Sequence, residues 1–447
     1  MEINFPKFTP EMKKTHKILI PSMAPVQFRI LEAAFEQQGY TCELLGNCGS
    51  QVAENGLKYV HNDTCYPALL VIGQFLDALE SGQYDLDHTA LIITQTGGGC
   101  RASNYIYLLR KALVRAGFGQ IPVASLNFSG LEKDSGFPMT LLLMRQLMAA
   151  IYYGDLLVTL RAQTVPYELH RGDADAKLEM WLNVICDQIR KGKGYSSREI
   201  RSAMPEMAAD FSSIPVRRTP KVKVGVVGEI YVKYSPLGNN ELEKFLESQD
   251  CEVNLPGLMG FVQYCAYNPS ETARLYGGSF YEKHLSGLIL NYLAGTERVM
   301  IDALKKNGYH APLPFKELTK LADGVIGHGD KMGEGWLLTA EMMELIESGV
   351  PNVICTQPFA CLPNHVSGKS VIKELRRLYP LSNIVPVDYD PGASEVNQLN
   401  RIKLMIAVAY SNFEKERGRK PGYQQGGELP AEVHDIDTER KETRNAG

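Results

Sequence analysis

Short apolar runs of strand length alternate with longer stretches of helical spacing along this 447-residue chain, and the alternation begins twice. In the first series, residues 16–22, 41–45, 88–94 and 121–127 read as strands. Residues 26–38, 67–79, 102–116, 138–153, 177–191 and 196–213 carry helical apolar spacing, with Gly39 and Gly117 as stops. The second series has strands at 222–227, 251–254, 324–327, 353–356 and 384–388. Its helices read at 240–248, 272–307, 334–347, 363–379 and 393–416. Alternation at this spacing predicts parallel sheet with helices on both faces. The expected fold class is α/β: two tandem doubly wound (Rossmann- or flavodoxin-like) parallel-sheet domains. The polar, Pro-punctuated stretch I-P-V-R-R-T-P-K at 214–221 separates a domain of residues 1–215 from one of residues 216–416, and is where limited proteolysis is expected to cut. Residues 417–447 are charged and Gly/Pro-rich, the composition of a disordered tail.

Three of the nine cysteines share one local setting. Cys65 lies in H-N-D-T-C-Y-P, Cys100 in T-Q-T-G-G-G-C-R and Cys361 in T-Q-P-F-A-C-L-P-N-H. Each follows a strand or loop and precedes a helical stretch, with Pro67 and Pro363 suited to a first helical turn. A thiol at a helix start feels the positive end of the dipole, so a lowered pKa is expected. None belongs to a C-x-x-C pair, which argues against a zinc ribbon or a thioredoxin-like motif. Two readings stay open: one shared metal site, or three ordinary buried thiols. The run Gly97-Gly98-Gly99 favours the first, because glycines in succession weaken structure unless something must come close. Three thiolates with no neighbouring acidic cluster, placed between two domains, favour iron–sulfur over zinc. Cys42, Cys186, Cys251, Cys265 and Cys355 read as structural, and Cys48 in G-N-C-G-S as the best further participant.

Composition narrows the class. A net charge of −4 offers no electrostatic reason for a nucleic acid or an anionic membrane as partner. No apolar run reaches the roughly 18 residues of a membrane span, and the first residues lack a signal segment. An odd, sparse set of cysteines fits reduced thiols and a cytoplasmic protein.

Three further loops are candidate ligand contacts. G-E-I-Y-V-K-Y-S-P-L-G-N-N-E puts Glu229, Asn239 and Asn240 beyond the strand 222–227, although either asparagine serves equally as a helix N-cap. H-G-D-K-M-G-E-G-W crowds His328, Asp330, Lys331 and Glu334 into a Gly-rich loop before a helix, where a merely solvated loop would look similar. D-Y-D-P-G-A-S-E-V-N places Asp388 and Asp390 after a strand and Ser394 near a helix start, as a cap or an anion seat.

Together N-D-T-C-Y-P, T-G-G-G-C-R, V-G-E-I-Y-V-K-Y-S-P-L-G-N-N, G-E-G-W-L-L, Q-P-F-A-C-L-P-N-H-V-S-G-K and D-Y-D-P-G-A-S-E-V-N-Q-L-N-R-I-K resemble the 2-hydroxyacyl-CoA dehydratase and benzoyl-CoA reductase superfamily. The likeness spans residues 15–415 and is nearest to the dehydratase-like C-terminal part of acyl-CoA dehydratase activase-related proteins. The resemblance implies an oxygen-sensitive iron–sulfur cluster between the two domains, most simply a four-iron (4Fe-4S) cluster held by Cys65, Cys100 and Cys361. It implies a separate ATP-dependent activase as electron donor and a small-molecule substrate, with an acyl-CoA as one such class. A homo- or hetero-oligomer is compatible with it. The chain has no G-x-x-x-x-G-K-[ST] loop of its own, since Gly368-Lys369-Ser370 is preceded by Pro363 where the first glycine belongs. Two alternatives are a double-cubane cluster reductase, which needs more cysteine ligands, and a non-catalytic iron–sulfur or scaffold subunit.

Overall fold

The computed structural model describes residues 5–61, 64–96, 98–127, 137–278, 280–392 and 395–419, with backbone only at 127, 280–283 and 419. It contains two four-stranded, all-parallel sheets built to one plan. The first joins β1 (Lys17–Ile20), β2 (Thr41–Leu44), β3 (Thr89–Gln95) and β4 (Val123–Asn127) in the order β2-β1-β3-β4. The second joins β5 (Val222–Gly228), β6 (Cys251–Asn254), β7 (Asn352–Pro358) and β8 (Asn383–Tyr389) in the order β6-β5-β7-β8. In both, the order reverses beside the first strand, which leaves a crevice at the carboxyl ends of β1/β3 and of β5/β7.

Successive side chains of a strand point to opposite faces, and here both faces are apolar. Ile18, Ile20, Ala90 and Ile92 meet the helix Pro25–Gln37 and Leu143 and Leu147 on one side. Leu19, Leu91 and Ile93 meet the helices Tyr66–Glu80 and Tyr105–Ala116 on the other. That second cluster does not stop at the sheet. It runs on through Tyr231, Val226, Tyr389 and Met405, so the two sheets share one apolar core. A further cluster unites Leu156, Leu160, Met204 and Phe211 with Met259, Met300 and Leu304.

The central helix is Leu141–Ala162. The stretch 141–167 is long and apolar enough to cross a membrane, yet 56 % of its most apolar window is buried within the molecule. It is a core helix here, touching the helices that begin at Pro25, Asp173, Ser197 and Leu258.

Several expectations are corrected. Residues 324–327 form a turn rather than a strand; four residues bounded by glycines are too short to join a ladder, and Val325 and Ile326 pack against an apolar cluster that includes Leu338 and Met342. The expected helix 272–307 is two helices, Leu258–Tyr276 and Phe280–Lys306, broken at Gly277 with φ +77°. The expected helix 363–379 is split into a turn at Leu362–Asn364, a π-turn at His365–Lys369 and a helix Ile372–Leu378. The helix Ser50–Tyr59 was not legible. It crosses Tyr66–Glu80 where a Cβ on Gly56 would lie 2.2 Å from the Leu69 carbonyl oxygen and one on Gly73 would lie 2.0 Å from that of Val52. The helix expected to end at 416 continues to Arg419, and residues 420–447 of the proposed tail lie outside the described residues. The 214–221 stretch is tied down by Leu169 N–H to the Pro215 carbonyl (2.9 Å) and Arg217 N–H to that of Tyr167 (2.7 Å).

Candidate functional site

The sheet crevices collect the cysteine turns. Cys100 follows β3 and Cys361 follows β7, the third strands of their sheets, each after a Thr-Gln strand end whose glutamine is buried. Cys65 caps Tyr66–Glu80 with Pro67 in its first turn, and Cys361 likewise precedes Pro363. Cys65 and Cys361 sit on neighbouring turns, joined by a Tyr66 N–H to Phe359 carbonyl bond of 3.3 Å. Cys65 Sγ lies 2.8 Å from Tyr105 Oη, and Tyr105 stands one short turn beyond Cys100. Cys65 also raises the pKa of both Cys100 and Cys361 by its charge. The three thiols therefore share one neighbourhood.

Two carboxyl groups face it, which corrects the expectation of no acidic neighbours. Glu229 and Glu334 are both buried, and each contributes to the electrostatics of Cys100 and Cys361. Glu229 reaches its place because Gly228, at φ +139°, turns tightly against β7; a Cβ there would lie 2.1 Å from Thr356 Oγ1. Its carboxylate accepts the Val232 N–H at 2.9 Å, and Glu334 Oε1 accepts the Ile230 N–H at 2.9 Å. Both thus hold donors from the first turn of Ile230–Tyr234, a use of helix-start N–H groups that favours negative charge. Burial and the charge of Glu334 nevertheless push Glu229 up to about 8, and burial raises Glu334.

The thiols behave alike. Burial pushes Cys100 up to about 11 and raises Cys65 and Cys361. The expected lowering by helix dipoles does not prevail. Arg101–Asn104 and Leu362–Asn364 are single turns with little dipole, and desolvation outweighs it even at the 15-residue helix of Cys65.

The other expected site residues divide. Gly98 and Gly99 do admit a close neighbour, namely Met332: the Gly99 N–H donates to its Sδ at 3.1 Å, and Cβ atoms on the two glycines would stand 3.1 and 3.3 Å from that sulfur. Gly97 lies outside the described residues. The Met332 loop in turn rests on Pro363, 3.0 Å from where a Gly333 Cβ would be, so it links the Cys100 and Cys361 turns. Asn239 spends its side chain on the Val232 carbonyl (2.9 Å) and the Leu242 N–H (3.1 Å), as a cap, and Asn240 bonds Gln398 at 2.9 Å. His328 is held between Glu271 and Asp323 and lies tilted against Trp336, while Lys331 bonds Thr272; the charge of Glu334, from the same loop, reaches Cys100 and Cys361. Asp388 pairs with Lys369, Asp390 caps Gly392, and Ser394 lies outside the described residues.

Cys186, Cys251 and Cys355 are buried, and Cys48 is exposed. Cys265 was read as structural, but it is solvent-reachable and feels the charge of Glu334. Its placement comes from the Leu258–Tyr276 helix passing over the site, which no local motif announces.

Among the described residues, no three His, Cys, Asp or Glu side chains are grouped tightly enough for a single metal ion. A multi-iron cluster makes a different demand, since each thiolate binds its own iron. The donor set fits one in chemistry: three thiols that burial keeps neutral would ionise on meeting a cationic cluster. The Cys361 turn also holds orphaned polar atoms, Gln357 Oε1 and both side-chain atoms of the fully buried Asn364. No protein-family model and no curated protein matches the chain.

Proposed function

We propose that the chain is an iron–sulfur redox enzyme, or a component of one, of the 2-hydroxyacyl-CoA dehydratase type with two flavodoxin-like domains. The observation that carries this reading is the meeting of Cys65, Cys100 and Cys361, from three separate turns, in one crevice region. Cys65, Cys100 and Cys361 would hold the cluster, which when bound supplies one-electron chemistry at low potential. Tyr105 orients the Cys65 sulfur, and the Met332 loop sets the Cys100 turn against that of Cys361. Glu229 and Glu334, held by N–H donors yet pushed toward their neutral forms, are placed to give or take a proton beside the thiols. Exposed Met332, Phe359, Leu362 and Val366 offer an apolar surface near Cys361 for a substrate or an electron donor. Lacking a phosphate-binding loop, the chain would take its electron from a separate ATP-dependent activase, in the cytoplasm.

Anaerobic reconstitution with iron and sulfide tests the reading. About four irons per chain are expected, with iron lost in Cys65→Ser, Cys100→Ser and Cys361→Ser and kept in Cys186→Ser and Cys355→Ser. Unchanged iron in all three of the first set would sink it. About eight irons would favour the double-cubane alternative, with Cys265 as a further ligand.

A further inference from the structure

Behind Glu229 and Glu334 the protein buries more acid than a fold of this kind requires. The helix Gly335–Glu347 begins at Glu334 and carries Glu341 and Glu344, both 6 % exposed or less. Glu297, also buried, comes from Phe280–Lys306. Isolated carboxylates are rarely buried, because desolvation is costly.

Their connections run in order. Lys233, one turn beyond Glu229, places Nζ 3.1 and 3.2 Å from the two oxygens of Glu341. Glu334 and Glu341 are two turns apart, about 10 Å along the axis, and the charge of Lys233 reaches both. Glu341 and Glu344 are three residues apart, neighbours on a helix surface. Glu344 Oε1 accepts the Leu313 N–H at 2.5 Å, and Glu297 Oε1 accepts the Phe315 N–H at 2.9 Å. Both outer carboxyls therefore lie directly under the loop 312–314, where Leu313 and Pro314 are exposed.

We infer that Glu297, Glu344, Glu341 and Lys233 form a proton relay between solvent at the 312–314 loop and the Glu334 end of the thiol site. The Lys233 ammonium passes a proton toward Glu334, Glu341 in its acid form returns one to the Lys233 amine, and Glu344 or Glu297 in its acid form reprotonates the Glu341 carboxylate. One proton enters at Glu344 or Glu297 for each consumed inside, so the buried charge is unchanged. The groups facing the relay allow this. Glu344 meets Glu341, Glu297 and Lys233; Glu341 meets Lys233 and Tyr234; Glu297 meets Gln263, Arg298 and Tyr152. Burial holds Glu344 near 7, where it both binds and releases protons at neutral pH.

The relay would serve the redox site proposed above, but its test needs no cluster. In iron-free protein, a rapid pH jump is followed by the infrared carbonyl band of protonated carboxyls. Glu344→Gln and Glu297→Gln keep an acceptor for the loop N–H groups but cannot carry a proton. In the double variant the inner carboxyls should equilibrate at least tenfold more slowly than in the native protein. Glu344→Asp, which still titrates, and Glu317→Gln, an exposed site, should equilibrate at the native rate. A native rate in the folded double variant overturns the relay. Failure to bind iron would instead strike the redox reading and leave this result standing.

Discussion

Ala360 and Gly228 show how much of the site is decided by single backbone positions. Ala360 has φ +59°, a left-handed conformation that costs a non-glycine residue about 1 kcal/mol, and it stands directly before Cys361. Ala360→Gly should stabilise the protein by about that amount in urea unfolding, without loss of iron. At Gly228 the sign reverses: a Cβ would collide with the backbone of Thr356 as well as its hydroxyl. Gly228→Ala should cost about 3 kcal/mol or more and displace Glu229. The Lys233–Glu341 pair is buried on both sides. Lys233→Met should cost about 3–5 kcal/mol by leaving a carboxyl uncompensated, whereas joint replacement of both residues by apolar ones should be close to neutral. Glu344 sets a pH dependence. Its folded pKa of about 7 exceeds the ordinary 4.5, so its contribution is complete below pH 4.5 and is lost as pH rises to about 7. The loss amounts to about 3 kcal/mol, and Glu344→Gln should flatten the stability curve across that window.

Among the secondary-structure elements, β8 is the edge strand of its sheet and is protected along its outer side. The carbonyls of Ile384, Pro386 and Asp388 are taken by Arg376 (2.5 Å), Arg401 (3.3 Å) and Gln398 (3.1 Å), and Pro386 has no N–H to offer. Removing such protection invites strand pairing between molecules. Pro386→Val combined with Arg401→Ala should therefore produce concentration-dependent association by light scattering, where neither the native chain nor Arg401→Ala alone does so strongly. The strands themselves were legible to within one or two residues, because the central ones, β1, β3, β5 and β7, are strand-length runs buried along almost their whole length. The helix Ser50–Tyr59 was not, since its Gly56 and Asn55 look like turn residues until Gly73 of the next helix is seen against it.

For the whole molecule, the two sheets are bound by more than a linker. Buried Asp155, on the central helix of the first half, accepts the N–H groups of Leu258 and Met259 (3.1 and 2.8 Å) and the amide of Gln27 (2.9 Å). With the apolar clusters that cross between halves, this predicts a single cooperative unfolding transition and resistance to proteolysis at 214–221, rather than the cut its composition invites. Residues 1–215 expressed alone should aggregate, since they would expose the helix faces that now meet Tyr231, Tyr389 and Met300. Two separate calorimetric transitions, or a soluble and folded first half, would contradict this.

The linear chain determined the parallel α/β plan, its duplication and the three cysteine turns, because periodicity, glycine stops and local setting are properties of short segments. The tertiary structure decided which other groups join them. Glu229, Glu334 and Cys265 come from elements far apart in sequence, and their neighbours, more than their own identity, push their protons on. The same holds for the thiols: a helix start in the sequence promised ionisation, and desolvation in the folded crevice reversed it, since burial is a property of the whole packing.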